Sequence, residues 1–308
     1  EGESLLSECT LSTKSHPFLA DHAIDGVPYH PGVMAIEMFA ENALLLNPEY
    51  CLAGFEDVKF GLPIKLLKGE ITVRTVAEVS RRKRDHIWVS CRLESDLKNS
   101  KGEIFGKPRV HHSGLVRLVL KSNDLTKHLA AELHDIPDIG IPAKGELAHH
   151  PSFIYLRFFH GPRFQSHGGI IRGIGNADSR GADGIALMRH QLPANDQFEC
   201  EEIGEAVLLE SLPMLIEAGF QNAGLVSMEV DGLMSLPVGI EWMTILAVPD
   251  EGEKLRLRSI RTALEEGGVT KHDVLVIGQD DSPILAMKGL RLKAMAPLAD
   301  EMRFSFEE

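Results

Sequence analysis

The stretch HAIDGVPYHPGVMAIEMFAEN, residues 22–42, sets His22 nine residues ahead of a Pro31-Gly32 pair that opens an apolar run broken by Glu37 and Glu41. A second apolar run, LLESLPMLIEAGFQNAGLV, carries Glu210, Glu217 and Gln221. Histidine titrates near neutrality and can accept a proton at cytoplasmic pH. A carboxyl held among apolar side chains can have its pKa raised, stay protonated and give that proton up. A histidine and a buried acid are therefore the parts of a general acid–base pair, provided the fold brings them together.

The elements that must do so are legible in outline. Residues 33–46, VMAIEMFAENALLL, are apolar on nearly every side, as in a helix buried all round, and Pro31-Gly32 mark its start. FEDVKFGLPIKLL, EITVRTVAEVS, HIWVSCRLES and SGLVRLVLK follow as strands separated by Gly, Lys and Asn turns. Residues 122–147 lose that pattern and gain Pro, Gly and charge, so they read as a linker between units 1–121 and 148–308. Beyond it the order returns: short strands GGIIRGIG and GIALMRHQL, a helix over about 207–225, then GIEWMTILAV, KLRLRSIRTALE, HDVLVIG and ILAMKGLRLKAM.

The two helices align without gaps from Val33 and Pro213, matching Met34/Met214, Ile36/Ile216, Glu37/Glu217 and Asn42/Asn222, which indicates an internal duplication. The duplication is asymmetric. His22 lies fifteen residues before Glu37, but the position fifteen before Glu217 is Glu202, and no histidine lies between His190 and Glu217.

Composition narrows the class. With 308 residues, 44% hydrophobic and 25% charged, the chain is an ordinary globular protein with room for two domains. A net charge of -13 argues against nucleic acid as a partner, and RRKR at 81–84 reads as a solvated hairpin turn. Cys9, Cys51, Cys91 and Cys200 are scattered, which suits reduced thiols rather than zinc or disulfides. No run suits a membrane span and no signal peptide opens the chain, so the cytoplasm is expected; a start without Met suggests a piece of something longer. The pairs His111-His112 and His149-His150 lack metal-like spacing and are expected to be exposed, and GIIRGIG is expected in a strand rather than a phosphate loop.

The motifs bring a family into view. LADHAIDGVPYHPG contains HxxxGxxxxP as His22, Gly26 and Pro31; FFHGPRFQ is similar to YGPxF, with His160 in place of Tyr; and LPMLIEAGFQ is similar to a third motif, with Glu217 where Asp is usual and Gln221 one turn later. Together they resemble the dehydratase domains of polyketide and polyunsaturated fatty acid synthases. The resemblance implies an α+β double hot-dog: two antiparallel sheets, each wrapped around an apolar helix, packed as an internal pseudo-dimer. It implies that a 3-hydroxyacyl chain on a phosphopantetheine arm loses water to give the trans-2-enoyl thioester, with His22 as base, Glu217 as acid, and no cofactor or metal.

Under that reading Gln221 orients Glu217 and His160 donates a hydrogen bond in place of the tyrosine. Gly161, Pro162 and Phe164 shape the site, and backbone N–H groups near Gly26 or after Pro31-Gly32 steady the thioester oxygen. Glu37 is structural. Partners are an acyl carrier protein and neighbouring synthase domains, with a homodimer allowed and neither nucleic acid nor membrane. Double-bond isomerisation or ring closure on the same fold, a non-catalytic acyl-binding hot-dog, and thioester hydrolysis are the rival functions.

Overall fold

The computed structural model of the protein describes residues 3–99, 101–121, 133–175, 180–190 and 209–306. Its two long helices are α1 (Gly32–Leu46) and α3 (Pro213–Asp231), with a single-turn helix α2 (Pro151–Tyr155) between them. Pro31 caps α1 in an extended conformation, as a residue without an N–H can at a helix start. The second helix begins at Pro213 rather than near 207, because Pro213 takes the first helical position after Leu212 in a left-handed conformation. It ends at Gly232, whose N–H closes on Met228 O.

The first half contributes β1 (Ser4–Ser12), β4 (Tyr50–Phe60), β5 (Glu70–Lys83), β6 (His86–Ser95) and β7 (Arg109–Leu120). A small hairpin, β2 (Ala23–Ile24) and β3 (Val27–Pro28), stands apart from them. The second half contributes β8 (His167–Gly175), β9 (Arg180–Leu187), β10 (Leu233–Ile245), β11 (Lys254–Glu265), β12 (Val269–Ile277) and β13 (Pro283–Pro297). The strand reading from sequence holds for β4 to β13, including GIIRGIG within the edge strand β8, but misses β1 and the β2–β3 hairpin.

The architecture is the double hot-dog, with one difference from two separate sheets. The halves form an eleven-stranded antiparallel sheet in the order β1-β5-β6-β7-β4-β10-β13-β12-β11-β9-β8, joined where β4 pairs with β10. Thr244 Oγ1 donates to Ala53 O at 3.0 Å across this seam. Arg117 Nη2 reaches Met243 O at 3.2 Å. Pairing β4 to β10 satisfies backbone groups that two separate edges would leave to water. One core, from Leu11 through Phe39 and Phe164 to Leu292, runs through both halves.

Residues 122–132 of the expected linker, together with Cys200 and Glu202, lie outside the described residues. The rest of that segment packs as a strap: Ile136 and Ile139 lie against Leu275 and Ile277, and Asp183 accepts the Ala143 N–H at 3.1 Å. No helix among the described residues is long and apolar enough to cross a membrane. RRKR falls at the β5–β6 turn, as expected. His111 and His112, expected to be exposed, are buried at 4% and 5% exposure, because β7 is an inner strand. Of the other pair, His150 is exposed and His149 stacks on Phe153 at 4.2 Å between ring centroids.

Burial of so many imidazoles sets the acid stability. Desolvation holds His22, His112 and His167 down to about 4, His272 to about 3, and His30 well below its ordinary value. Between an unfolded value of about 6.5 and these folded values the unfolded chain binds more protons, so each histidine removes up to about 1.4 kcal/mol per pH unit as pH falls through that window. Desolvation also raises Glu37, and Glu41 to about 7, which acts in the opposite sense but through fewer groups. The melting temperature is therefore expected to fall steadily from pH 7.5 to pH 5. A scan of melting temperature against pH that rises toward pH 5 would contradict this balance.

Candidate functional site

The β2–β3 hairpin places His22. Asp25 and Gly26 at its tip have φ of 50° and 76°, the paired left-handed conformation of a tight two-residue turn, in which glycine carries no strain. Tyr29 N donates to His22 O at 2.9 Å, and His22 Nδ1 lies 3.0 Å from Tyr29 O. With Nδ1 donating there, Nε2 is left unprotonated and free to accept a proton. The HxxxG spacing thus builds the turn that fixes the imidazole's tautomer and direction.

A second clamp joins this segment to the other half. Asp21 accepts the Arg163 backbone N–H at 3.2 Å and its Nη1 at 2.7 Å, while Gly161 N donates to Asp21 O at 2.7 Å. A Cβ on Gly161 would come within 2.6 Å of Asp21 Oδ1, so only glycine allows the approach. Pro162–Phe164 then form one turn of 3₁₀ helix, and Phe164 sits with Phe159 against the His22 ring at 5.4 and 5.0 Å between centroids. Asp21 and Arg163 carry no signal that motif spacing would pick out.

Glu217 enters from α3, in the other half. It is 5% exposed, and its Oε1 receives two donors: His160 Nε2 at 3.1 Å and Gln221 Nε2 at 3.0 Å. Gln221 also donates to Phe164 O at 2.8 Å. Among the described residues Oε2 has no hydrogen-bond partner. His160 lies between the two candidate groups, its ring centroid 5.4 Å from that of His22.

The electrostatics depart from the sequence expectation for the acid. Burial pushes the Glu217 carboxyl up, but the charge and hydrogen bond of His160, the nearby His22 and the Gln221 hydrogen bond outweigh it, and the net direction is down. His22 is lowered to about 4 by desolvation, helped by His160 and opposed by Glu217, so it is neutral near pH 7.

One pocket of about 280 Å³ collects these groups. His22, His160, Glu217 and Gln221 share its wall with Gly32 and a mostly apolar lining of which Phe158, Phe159 and Phe220 are part; exposed Pro63, Lys293 and Met295 mark its rim. Gly26 is not on that wall, because it caps a turn directed to solvent; Gly32, at the start of α1, is. Glu37 occupies the place equivalent to Glu217 but is sealed: Oε1 accepts the Glu210 N–H at 2.7 Å, and Oε2 accepts the Ser211 N–H at 2.8 Å and its hydroxyl at 2.5 Å.

The clamp gives a stability prediction. Asp21→Ala removes the carboxylate that faces the buried Arg163 guanidinium and is expected to cost about 3 kcal/mol, a fall of roughly 6 °C in melting temperature. Arg163→Met with Asp21→Asn, which removes both charges, should recover part of the loss. An Asp21→Ala protein as stable as wild type would show that the clamp contributes nothing.

A family model described as polyketide synthase dehydratase domain matches residues 1–91, which include His22 and α1 but not Glu217. No curated protein sequence matches the chain. Among solved structures, the dehydratase domain from the CurF module of the curacin polyketide synthase is similar at TM-score 0.62 and 15% identity, over 95% of this chain and 94% of that one. The dehydratase domain from the CurK module of the same synthase is similar at 0.61 and 19% identity, over 98% and 95%. That of a mycocerosic acid synthase-like polyketide synthase is similar at 0.59 and 17% identity, over 97% and 93%. The chain is thus similar to polyketide synthase dehydratase domains in sequence over residues 1–91 and in fold over nearly its whole length.

Proposed function

For a chain with that family's sequence over residues 1–91 and that fold throughout, we propose that it removes water from a 3-hydroxyacyl thioester presented by an acyl carrier protein. The observation that carries this reading is a neutral histidine from one half and a hydrogen-bonded carboxyl from the other, both opening on a single mostly apolar pocket. His22 Nε2 takes the C2 proton, and the electron pair forms the C2–C3 double bond as the C3–O bond breaks. Glu217 Oε2 gives a proton to the departing hydroxyl, which leaves as water. The proton taken by His22 then returns to the acid, and the site is reset.

The proton for the leaving group sits on Glu217 Oε2, because Oε1 already accepts from His160 Nε2 at 3.1 Å and from Gln221 Nε2 at 3.0 Å. His160 Nδ1 is buried and has no partner among the described residues, so an imidazolium there leaves one N–H unsatisfied. An acyl chain filling the pocket excludes water and strengthens desolvation, the influence that raises Glu217. Both effects move the proton toward the carboxyl when substrate is bound. Gly32 N–H, at the start of α1, suits the thioester oxygen as it gains charge.

Glu217 in place of Asp, with FFHGPRFQ and LIEAGFQNAG, supports an iterative or polyunsaturated fatty acid-type synthase as the setting. Proton abstraction beside a carbonyl also serves isomerisation, and a solved relative is described as an isomerase-inactive GphF dehydratase-domain variant, at TM-score 0.61 and 16% identity.

Incubation with a 3-hydroxyacyl-pantetheine surrogate, read by mass spectrometry and ultraviolet absorbance, tests the proposal: loss of one water supports it. An enoyl substrate with a migrated double bond, release of free acid, or no change supports isomerase, thioesterase or binding protein respectively. His22→Ala is expected to fold and to lose turnover. Glu217→Gln is expected to lose about 100- to 10,000-fold in rate, the range for a missing general acid, while Glu37→Gln loses stability rather than chemistry; the reverse order in single-turnover rates would reverse the assignment.

His160→Phe removes the largest influences holding Glu217 down. The pH at which the acid loses its proton therefore rises, and the alkaline limb of kcat/KM should move to higher pH. A limb that stays put would show that His160 does not hold the acid's titration down.

A further inference from the structure

The acid is held by a longer chain of hydrogen bonds than the motifs contain. Tyr155, at the end of α2, places its hydroxyl 2.9 Å from Gln221 Oε1, and the same oxygen accepts the His167 backbone N–H at 2.7 Å. With the His167 N–H donating to it, the phenol's single proton points to Gln221, for His167 O is farther away at 3.4 Å. Desolvation pushes the phenol pKa upward, so the hydroxyl remains a donor at every working pH.

This fixes what Gln221 alone leaves open. A glutamine amide can turn end over end, and its two orientations present opposite partners to a neighbour. A donor aimed at Oε1 from Tyr155 admits only the orientation in which the amide NH₂ faces Glu217 Oε1 and Phe164 O. Glu217 Oε1 then carries two donors and cannot also carry the acid proton, which must ride on Oε2.

We propose that Tyr155 is a positioning residue for the acid: through Gln221 it assigns the Glu217 proton to Oε2. It touches neither substrate nor reacting atoms. This inference rests on the dehydratase reading above. A hydroxyl that merely packed α2 against α3 would leave the titration of Glu217 alone; one that polarises the Gln221 amide must move it.

The test compares pH–rate profiles of wild type, Tyr155→Phe, a fluorinated tyrosine at position 155, and Tyr155→Phe in a Gln221→Met background, with melting temperature as a fold control. Losing the donor weakens the Gln221 N–H bond to the carboxylate, so Tyr155→Phe should lower kcat about tenfold with KM nearly unchanged, and move the alkaline limb of kcat/KM upward. A fluorinated tyrosine keeps ring and hydroxyl but donates more strongly, so it should move the same limb downward. With Gln221→Met in place, Tyr155→Phe should have no further effect. Equal losses in both backgrounds, or limbs that shift in the same direction for both Tyr155 replacements, would overturn the proposal. Should Tyr155→Phe not fold, the fluorinated protein alone still decides it by the direction of its limb. A wild type that makes no enoyl product defeats the dehydratase reading instead.

Discussion

Sixteen consecutive residues of α3, Pro213 to Met228, are buried, and this total enclosure is the constraint on which the structure depends. A helix that presents no face to water needs cover on every side, and one curved sheet supplies only part of it. The rest comes from the first half: α1 lies against α3, and the β4–β10 pairing prevents the halves from parting. Because the helices of both halves meet in the interior, a side chain on one half's helix can reach the segment that leads into the helix of the other. Glu217 does so toward His22, and Glu37 toward Ser211.

Enclosure also dictates the polar chemistry. A carboxyl in such surroundings must be hydrogen-bonded or neutral. Glu217 and Glu37 meet that demand differently. Glu37 spends both oxygens on the backbone and hydroxyl of residues 210 and 211, leaving none for a ligand. Glu217 gathers its donors on one oxygen and leaves the other to the pocket. The difference originates ahead of the helices: the hairpin before α1 carries His22, while Glu210 and Ser211 ahead of α3 are held by Glu37.

The same enclosure governs the His22 imidazole. An imidazole in water is half protonated near its ordinary value and a poor acceptor below it. Held among Phe159, Phe164 and His160, His22 is neutral well below that point. Asp21 and Arg163 hold the hairpin against the other half, so the distance across the pocket is set by a charged clamp rather than by apolar contact alone.

The sequence by itself determined the two long helices, most strands and the repeat, because apolar periodicity and turn residues act over a few neighbours: HIWVSCRLES and KLRLRSIRTALE are β6 and β11 to the residue. It also nominated His22, His160, Glu217 and Gln221, which share one wall. Only the tertiary structure decided what depends on partners distant along the chain. Arg163 meets Asp21 across 142 residues, and Tyr155 meets Gln221 across 66. The downward pKa of Glu217, against the rise that an apolar helix suggests, follows from His160 fifty-seven residues earlier (217 minus 160). His111 and His112 look exposed beside each other in sequence, yet β7 lies inside the sheet and buries both. A charge or a proton answers to whatever lies within a few ångströms, and local pattern does not carry that information.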